Sequence, residues 1–251
     1  MKYVVLSFDD GKKDFYTRAL PILKKYHLPA VLNVVSDYTE APTKKNYISW
    51  GELRDCMKNG IEVANHSANH TNNIADIIRG AETIQARLDI SEKIGFASPH
   101  SEICSANFIT YRQLLESNQT AYIRSGNCLK RDGYFCAFLY LAYKYTKSKY
   151  LYFCHNKRNI ISLDKKPSTF FPSATCNQDN SSEQMSYLIK KMPSNSAIVF
   201  MFHSILDKND AGYESEKWSN RIDDFEAFCK FLSEYKDVSV ITHRDLCQLF
   251  N

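Results

Sequence analysis

The sequence predicts an α/β protein in which parallel strands alternate with helices, as a sheet or as a barrel. Two runs have the composition of strands that are buried on both faces: an apolar run at 3–6 that continues into Ser7-Phe8, and a continuous apolar run at 197–202. Between them, short β-branched or aromatic runs alternate with segments whose apolar residues are three and four positions apart. A chain of 251 residues, 44% of them hydrophobic, has the usual length of one α/β barrel. We therefore expect a single domain over residues 1–251.

The first hundred residues are predicted to form four strands separated by three helices. Apolar residues at helical spacing mark the helices, and Asn59-Gly60 ends the second helix in the usual way. Pro29 precedes the second strand and Pro99 ends the fourth. In order, we expect strand 3–8, helix 14–26, strand 30–35, helix 50–57, strand 61–64, helix 74–94 and strand 95–100.

The remaining chain continues the alternation around an aromatic-rich stretch at 134–155. This stretch favours a helix over 135–143 followed by a strand over 150–154. Aromatic stripes are most often buried in a core or against a partner, and a helix lying on a membrane surface is the alternative. A polar stretch at 207–221 is predicted to be a loop that holds Trp218. In order, we expect helix 107–116, strand 121–124, helix 135–143, strand 150–154, helix 182–191, strand 197–202, helix 225–235, strand 238–242 and helix 244–250.

Composition excludes several classes of function. The net charge is +4 and Lys and Arg occur along the whole chain, so the sequence predicts no nucleic-acid partner. No apolar run approaches the roughly 20 residues that a transmembrane helix needs. The eight cysteines form no CxxC pair and are interpreted as reduced thiols. With no signal peptide visible at the N-terminus, these features predict a cytoplasmic protein of unassigned oligomeric state.

Three predicted strand ends carry residues suited to chemistry, and parallel α/β folds place their active sites at such ends. These residues are Asp9 and Asp10, then His66 and His70, then His203. Two histidines four positions apart on a turned segment can reach one ion, and two histidines with one carboxylate are a common open zinc site. The remaining carboxylate and histidine then suit a general base and a general acid.

Each of these features also has an ordinary structural explanation. The two aspartates suit solvated loop acids that cap the next helix, and His203 alone suits a hydrogen-bonded histidine of the core or rim. The combination at three strand ends favours the metal site. Structural roles are expected for the histidines that lack this context, His27, His155 and His243.

These motifs resemble those of the polysaccharide deacetylases, the NodB-homology or carbohydrate esterase 4 family. SFDDG at 7–11 is similar to the first family motif, with Ser in place of the usual Thr, and HSANH at 66–70 matches the second. The resemblance spans essentially the whole chain. Its further parts are FASPH at 96–100 for the third motif, VFMFH at 199–203 for the fifth, and the connecting segments ISWGEL at 48–53 and VIT at 240–242.

The resemblance implies a distorted (β/α)7–8 barrel and a divalent metal, usually zinc. It implies that Asp10, His66 and His70 hold the ion, that Asp9 is the base and that His203 is the acid. The implied reaction removes an N-acetyl group from an amino-sugar-containing carbohydrate, with the metal polarising the amide carbonyl and activating water. The chain is thereby expected to be a metal-dependent hydrolase.

The chain departs from the family pattern in two motifs. The third motif lacks its arginine, because Ala97 and Ser98 stand in that neighbourhood, and the aspartate of the fourth motif is not recognisable around 124–132. Two alternatives follow from these departures: hydrolysis of another C–N bond, such as a formamide or a small cyclic amide, or metal-retaining glycan binding without catalysis. For contacts with the sugar we predict Pro99, His100 and Trp218.

Overall fold

A computed structural model describes residues 1–41, 43–101, 108–116, 120–126, 129–164, 169–210 and 212–250. The strands are β1 (Lys2–Phe8), β2 (Ala30–Val34), β3 (Ile61–Asn65), β4 (Phe96–Ala97), β5 (Ile123–Ser125), β6 (Ile161–Ser162), β7 (Phe170–Pro172), β8 (Ala174–Thr175), β9 (Ser196–Phe202), β10 (Ser204–Leu206), β11 (Ser219–Arg221) and β12 (Val238–Val240). The α-helices are α1 (Leu20–Lys25), α2 (Trp50–Lys58), α3 (Ile74–Leu88), α4 (Phe108–Glu116), α5 (Leu129–Thr146), α6 (Lys149–Asn156), α7 (Ser182–Lys191), α8 (Ile222–Glu234) and α9 (His243–Gln248). Shorter turns of π or 3₁₀ type cover Phe15–Ala19, Pro99–Ser101 and Lys157–Asn159.

The main sheet is built around β1 and is parallel apart from β6, which pairs antiparallel with β9. Its strand order is β6-β9-β1-β2-β3-β4-β5-β7. β7 pairs with β5, and β8, which follows after Ser173, pairs with β9. This short segment joins the two sides of the sheet, so the sheet is a nearly closed barrel. The predicted α/β barrel is confirmed.

The two faces of the sheet have separate cores, because successive strand residues point to opposite sides. Val4, Leu6 and Phe8 of β1 pack in a large core with the surrounding helices. Val5 belongs instead to a smaller cluster enclosed by the strands. The members of this inner cluster are Val5, Val31, Ala64, Tyr122, Phe171, Ala197, Val199 and Leu246. Asp9, the first residue after β1, has the parity of Val5, so its side chain belongs with the inner face.

One predicted strand is wrong. Residues 150–154 lie within the helix α6, not in a strand. The Ser148 side chain caps this helix by accepting a hydrogen bond from the backbone N–H of Leu151. Its Tyr152 packs edge-on against Tyr143 of α5, with ring centroids 5.2 Å apart. Aromatic composition favours strands only through packing on a pleated surface, and here a helical hairpin provides the packing instead.

Other differences concern element lengths. α3 ends at Leu88 rather than at residue 94, because Asp89 adopts a left-handed conformation with φ 56°. The strand expected at 95–100 is reduced to two residues. Within the predicted loop at 207–221, the last residues form β11, which pairs in parallel with β10.

Two further observations concern the described residues alone. The cysteines found there are free thiols, at positions 56, 136, 154, 176, 229 and 247. In this part of the chain no helix combines the length and the apolar character required to cross a bilayer.

Candidate metal centre and active site

The loops that follow β1 and β3 bring a carboxylate and two imidazoles together. The Oδ1 atom of Asp10 lies 3.5 Å from Nε2 of His66 and 3.3 Å from Nε2 of His70. One ligand atom from each residue falls within 4.8 Å of the others. Among the described residues this is the one group of three or more His, Cys, Asp or Glu side chains with such geometry. The structure therefore brings together the three predicted metal ligands.

Left-handed backbone conformations aim these side chains at one another. Asp10 has φ 75°, Ser67 has φ 63° and His70 has φ 59°. Each such conformation costs a non-glycine residue of the order of 1–3 kcal/mol, and strain of this kind concentrates at functional sites. The turn at Asp10 swings its carboxylate out of the strand direction, and the turn at His70 brings its ring back toward His66, with ring centroids 5.0 Å apart.

The donor set fits a divalent transition metal. His66 Nδ1 lies 2.8 Å from the carbonyl oxygen of Ala97, which can only accept, so the proton sits on Nδ1 and the Nε2 lone pair faces Asp10. Burial alone would raise the pKa of Asp10, but the adjacent imidazoles of His66 and His70 outweigh burial and hold that pKa well below its usual range. Its buried Oδ1 accepts no well-aligned hydrogen bond from the described residues. Two imidazoles and an ionised carboxylate suit zinc and neighbouring divalent ions.

The predicted base, Asp9, is buried beside this group and is ionised. Its Oδ1 accepts a hydrogen bond from Nδ2 of Asn33 at 2.8 Å and forms an ion pair with the guanidinium of Arg124. Burial would raise the pKa of Asp9, but Arg124 and the imidazoles of His66 and His203 outweigh it and lower the pKa. A carboxylate held in this way is fixed in both charge and orientation.

Arg124 is the site residue that the sequence interpretation missed. It is fully buried on β5, and its Nη1 also contacts Sδ of Met201. In the strand register it stands beside Ala97 of β4, in the neighbourhood where the third motif would carry its arginine. The sequence did contain a signal, which is the arginine inside the strand predicted at 121–124. An arginine that is buried in a strand is seldom without a partner, so its presence there points to a carboxylate nearby.

The predicted acid, His203, follows β9 and lies near the two aspartates. Burial lowers the pKa of His203, while the nearby carboxylates of Asp10 and Asp9 act in the opposite direction. The centroid of its imidazole ring lies 5.8 Å from the centroid of the half-exposed Trp218 ring. Its buried Nδ1 has no hydrogen-bond partner among the described residues. The region expected to hold the fourth motif includes residues 127–128, outside the described residues.

The three predicted sugar contacts lie at different depths. His100 packs edge-on against His70 with ring centroids 4.5 Å apart, and its own backbone is left-handed at φ 55°. Trp218 lies beside His203, in the segment that leads into β11. Pro99 is buried, and its carbonyl accepts a hydrogen bond from Nδ2 of Asn72 at 2.9 Å. His100 and Trp218 thus border the site, and Pro99 supports the loop that carries His100.

A polar cleft of about 530 Å³ opens next to the group formed by Asp10, His66 and His70. Lys12 joins the two, because its Nζ lies 3.7 Å from Oδ2 of Asp10 and also forms a 2.6 Å ion pair with Glu216. The lining residues come from the segments after β1 and β2, from β10 and from the segment between β10 and β11. They include Lys12, Lys13, Asp14, Thr17, Asn46, Tyr47, Ser204 and Glu216.

Comparison with known proteins supports the sequence resemblance. The family model described as polysaccharide deacetylase matches residues 1–102, which hold Asp9, Asp10, His66 and His70. The poly-β-1,6-N-acetyl-D-glucosamine N-deacetylase of Escherichia coli K12 is 33% identical in an alignment of 81 residues, and the match covers 27% of this chain and 12% of that protein. The chain therefore matches only a small part of that relative's length.

Two solved structures share the fold over nearly the whole chain. The peptidoglycan N-acetylglucosamine deacetylase Bc1960 superposes with a TM-score of 0.55 at 14% identity, covering 98% of this chain and 88% of that one. A family 4 acetyl xylan esterase from Clostridium thermocellum, solved with cobalt, gives a TM-score of 0.50 at 18% identity, covering 98% and 91%. The predicted resemblance to the polysaccharide deacetylase family is confirmed, by a family match over residues 1–102 and by a shared barrel fold over nearly the whole chain.

Proposed function

We propose that this chain is a metal-dependent hydrolase that removes N-acetyl groups from a carbohydrate containing amino sugars, and that residues 1–251 form one catalytic domain. The observation that carries the proposal is the convergence of Asp10, His66 and His70 beside a buried, ionised Asp9. The names of the Escherichia coli relative and of Bc1960 both specify N-acetylglucosamine as the acetylated sugar. An N-acetylated amino sugar is therefore the proposed substrate class.

Asp10, His66 and His70 would hold the ion, for which we propose zinc. When bound, the metal would polarise the acetyl carbonyl and lower the pKa of an attacking water. The chain supplies three ligands, which leaves a position open for substrate and water, as in other hydrolytic zinc sites. The hydrogen bond between His66 and the Ala97 carbonyl keeps that ring oriented toward the ion.

Asp9 would accept the proton of water as the oxygen attacks the acetyl carbon. Its carboxylate is ionised at neutral pH and cannot rotate freely, because Arg124 and Asn33 hold one of its oxygens. A general base fixed in this way contributes about 10²–10⁴-fold to a hydrolytic rate. We assign Arg124 the task of positioning Asp9.

His203 would donate a proton to the sugar amine as the C–N bond breaks. Burial keeps the pKa of His203 low, so the ring is neutral in the resting site. The carboxylates of Asp9 and Asp10 favour its protonated form, so it can take up a proton during turnover and release it to the leaving amine. Trp218 beside it and His100 beside His70 would contact the sugar rings, and the polar cleft next to Lys12 would take the rest of the chain of sugars.

Arg124 also bears on the alternatives left open by the sequence. Hydrolysis of a different C–N bond was motivated by the missing arginine of the third motif. A guanidinium reaches the base from the adjacent strand, which supports N-deacetylation over that alternative. The other alternative, glycan binding without catalysis, does not require an ionised base. Asp9 is held ionised, as catalysis requires, and this supports an enzyme.

Metal content and acetate release test the proposal together. Wild-type protein, His66→Ala, Asp9→Asn and the exposed control His27→Ala are loaded with zinc, dialysed and assayed on oligomers of N-acetylglucosamine. We expect wild type and His27→Ala to hold one equivalent of zinc and to release acetate. His66→Ala should lose both, and Asp9→Asn should keep zinc and lose acetate release. Full turnover by metal-free His66→Ala would refute the mechanism, and turnover unaffected by Asp9→Asn would refute the base.

A further inference from the structure

The α5–α6 hairpin carries a ridge of exposed aromatic and aliphatic side chains. Six of the ten large hydrophobic residues that are exposed in the described part of the chain lie between positions 134 and 150, each 49–97% accessible to solvent. Single exposed apolar residues are normal, but a contiguous set marks an interaction surface. This aromatic ridge consists of Tyr134, Phe135, Phe138, Leu141, Tyr145 and Tyr150.

The ridge is a second apolar face on a helix that already has a buried one. Leu139 and Tyr143 of α5 are buried against the rest of the protein. Phe138 and Leu141 point the other way, at the three- and four-residue spacing that lines up one helix face. Packing within the chain thus explains the buried face of α5, and no packing among the described residues explains the exposed apolar face. A helix that is apolar on all sides is normally covered by a core or by lipid.

The chain's net positive charge is concentrated in the same hairpin. Residues 129–158 contain seven Lys or Arg and one Asp, while the rest of the chain contains 25 Lys or Arg and 27 Asp or Glu. Asp179 and Glu183 form ion pairs with Lys144, Lys147 and Lys149. When Asp179 and Glu183 are counted with the hairpin, its excess of positive charge is +4, which equals the net charge of the whole chain. The remainder of the protein is neutral.

Basic residues lie at both ends of the ridge. Lys147 lies in the connection between the two helices and Lys149 is the first residue of α6, and they are close in sequence to the exposed Tyr145 and Tyr150. At the other end, Arg158 contacts Sγ of Cys136 and so lies next to the first turns of α5. Aromatic side chains between clusters of lysine and arginine are the composition of segments that lie in the interface of an anionic bilayer.

We propose that the aromatic ridge docks this protein on the surface of an anionic lipid bilayer. A second copy of the chain is disfavoured, because pairing two ridges would bring two surplus positive charges together. A deacetylated glycan is disfavoured for the same reason, since its free amines are cationic. Phosphate headgroups supply the complementary charge, and the acyl boundary accepts the aromatic rings. This proposal does not depend on the proposed function.

Vesicle sedimentation tests the apolar part of the proposal. The full chain is mixed with vesicles of phosphatidylcholine alone or with about one third phosphatidylglycerol. Wild type should sediment with the anionic vesicles, and Phe135→Ser/Phe138→Ser should partition at least about tenfold less. The control Met57→Ser/Leu249→Ser removes two exposed apolar side chains elsewhere and should bind like wild type. Both double variants alter exposed positions, so their thermal unfolding midpoints should match that of wild type.

A charge-reversal pair tests the electrostatic part. Lys147→Glu/Lys149→Glu should reduce binding to anionic vesicles at least about tenfold, and added salt should weaken wild-type binding. Lys45→Glu/Lys236→Glu makes the same change in net charge at exposed positions off the hairpin and should leave binding intact.

Four outcomes would overturn the proposal. Wild type that stays in the supernatant with both kinds of vesicle would do so, as would equal binding to neutral and anionic vesicles. Dimers in solution that disappear in Phe135→Ser/Phe138→Ser would assign the ridge to a second copy of the chain. Binding of glucosamine oligomers that is lost in the same variant, without vesicle binding, would assign it to the glycan. Acetate release is scored separately, so failure of the docking proposal and failure of the proposed function remain distinguishable.

Discussion

Replacing Arg124 with methionine removes one member of a buried ion pair. Asp9 and Arg124 are almost completely inaccessible to water, so Arg124→Met leaves a carboxylate buried without its main counter-charge. Breaking a buried pair in this way costs about 3–5 kcal/mol of unfolding free energy. Methionine keeps most of the side-chain length next to Met201, so we attribute the loss mainly to the unpaired charge and less to a cavity.

The same substitution should reverse the pH dependence that Asp9 contributes. In wild type the folded pKa of Asp9 is lowered, so its contribution stabilises the protein above the unfolded pKa and is lost as pH falls through the folded value. Without Arg124, burial becomes dominant and raises the folded pKa above the unfolded one. The variant should therefore be most deficient at pH 7–8 and approach wild type as the pH falls toward about 4.

Urea unfolding of a double-mutant cycle measures this effect. Wild type, Arg124→Met, Asp9→Asn and the double variant are unfolded at several pH values between about 4 and 8. We expect the double variant to be more stable at neutral pH than the sum of the single changes predicts, because Asn needs no counter-charge. Acetate release by Arg124→Met should fall about 10²–10⁴-fold, the contribution of a general base. Single changes that add to within about 0.5 kcal/mol, or a loss of stability independent of pH, would refute the reasoning.

The parts of the site that could be predicted are those encoded by local patterns. An apolar run ending in Asp9-Asp10 identifies the end of a buried strand from a few adjacent residues, and β1 does span Lys2–Phe8. His66 and His70 are four positions apart, and such a spacing is visible without any knowledge of the fold. The strand-and-helix alternation likewise predicted the parallel barrel, because each βαβ unit is a local pattern.

Arg124 could not be placed because its role depends on strand register. It lies 115 positions from Asp9 in sequence and reaches it only because β5 pairs with β4 in the register that sets Arg124 beside Ala97. A shift of one residue would have turned its side chain to the other face. The sequence shows that an arginine is absent from one motif, but only the paired strands show that a neighbouring strand supplies the guanidinium.

Three further substitutions test the site and its surroundings. Trp218→Ala should raise the KM for an acetylated oligosaccharide roughly tenfold and change the unfolding free energy by less than about 0.5 kcal/mol, because the ring is half exposed. Gly80→Ala should cost about 1–3 kcal/mol in urea unfolding, since its Cβ would lie 2.7 Å from the backbone nitrogen of Ala68, in the loop that carries His66 and His70. Gly212→Ala meets no atom within 4 Å and should be neutral. Asp14→Asn tests a titration: burial raises the pKa of Asp14 from 3.8 to about 6 in the folded state, so folding takes up a proton between these values and wild-type stability falls as the pH rises through them. Asparagine has no such titration, so the variant should gain about 2–3 kcal/mol relative to wild type between pH 4 and pH 7, and a difference that stays constant over this range would show that Asp14 is ionised in the folded protein throughout.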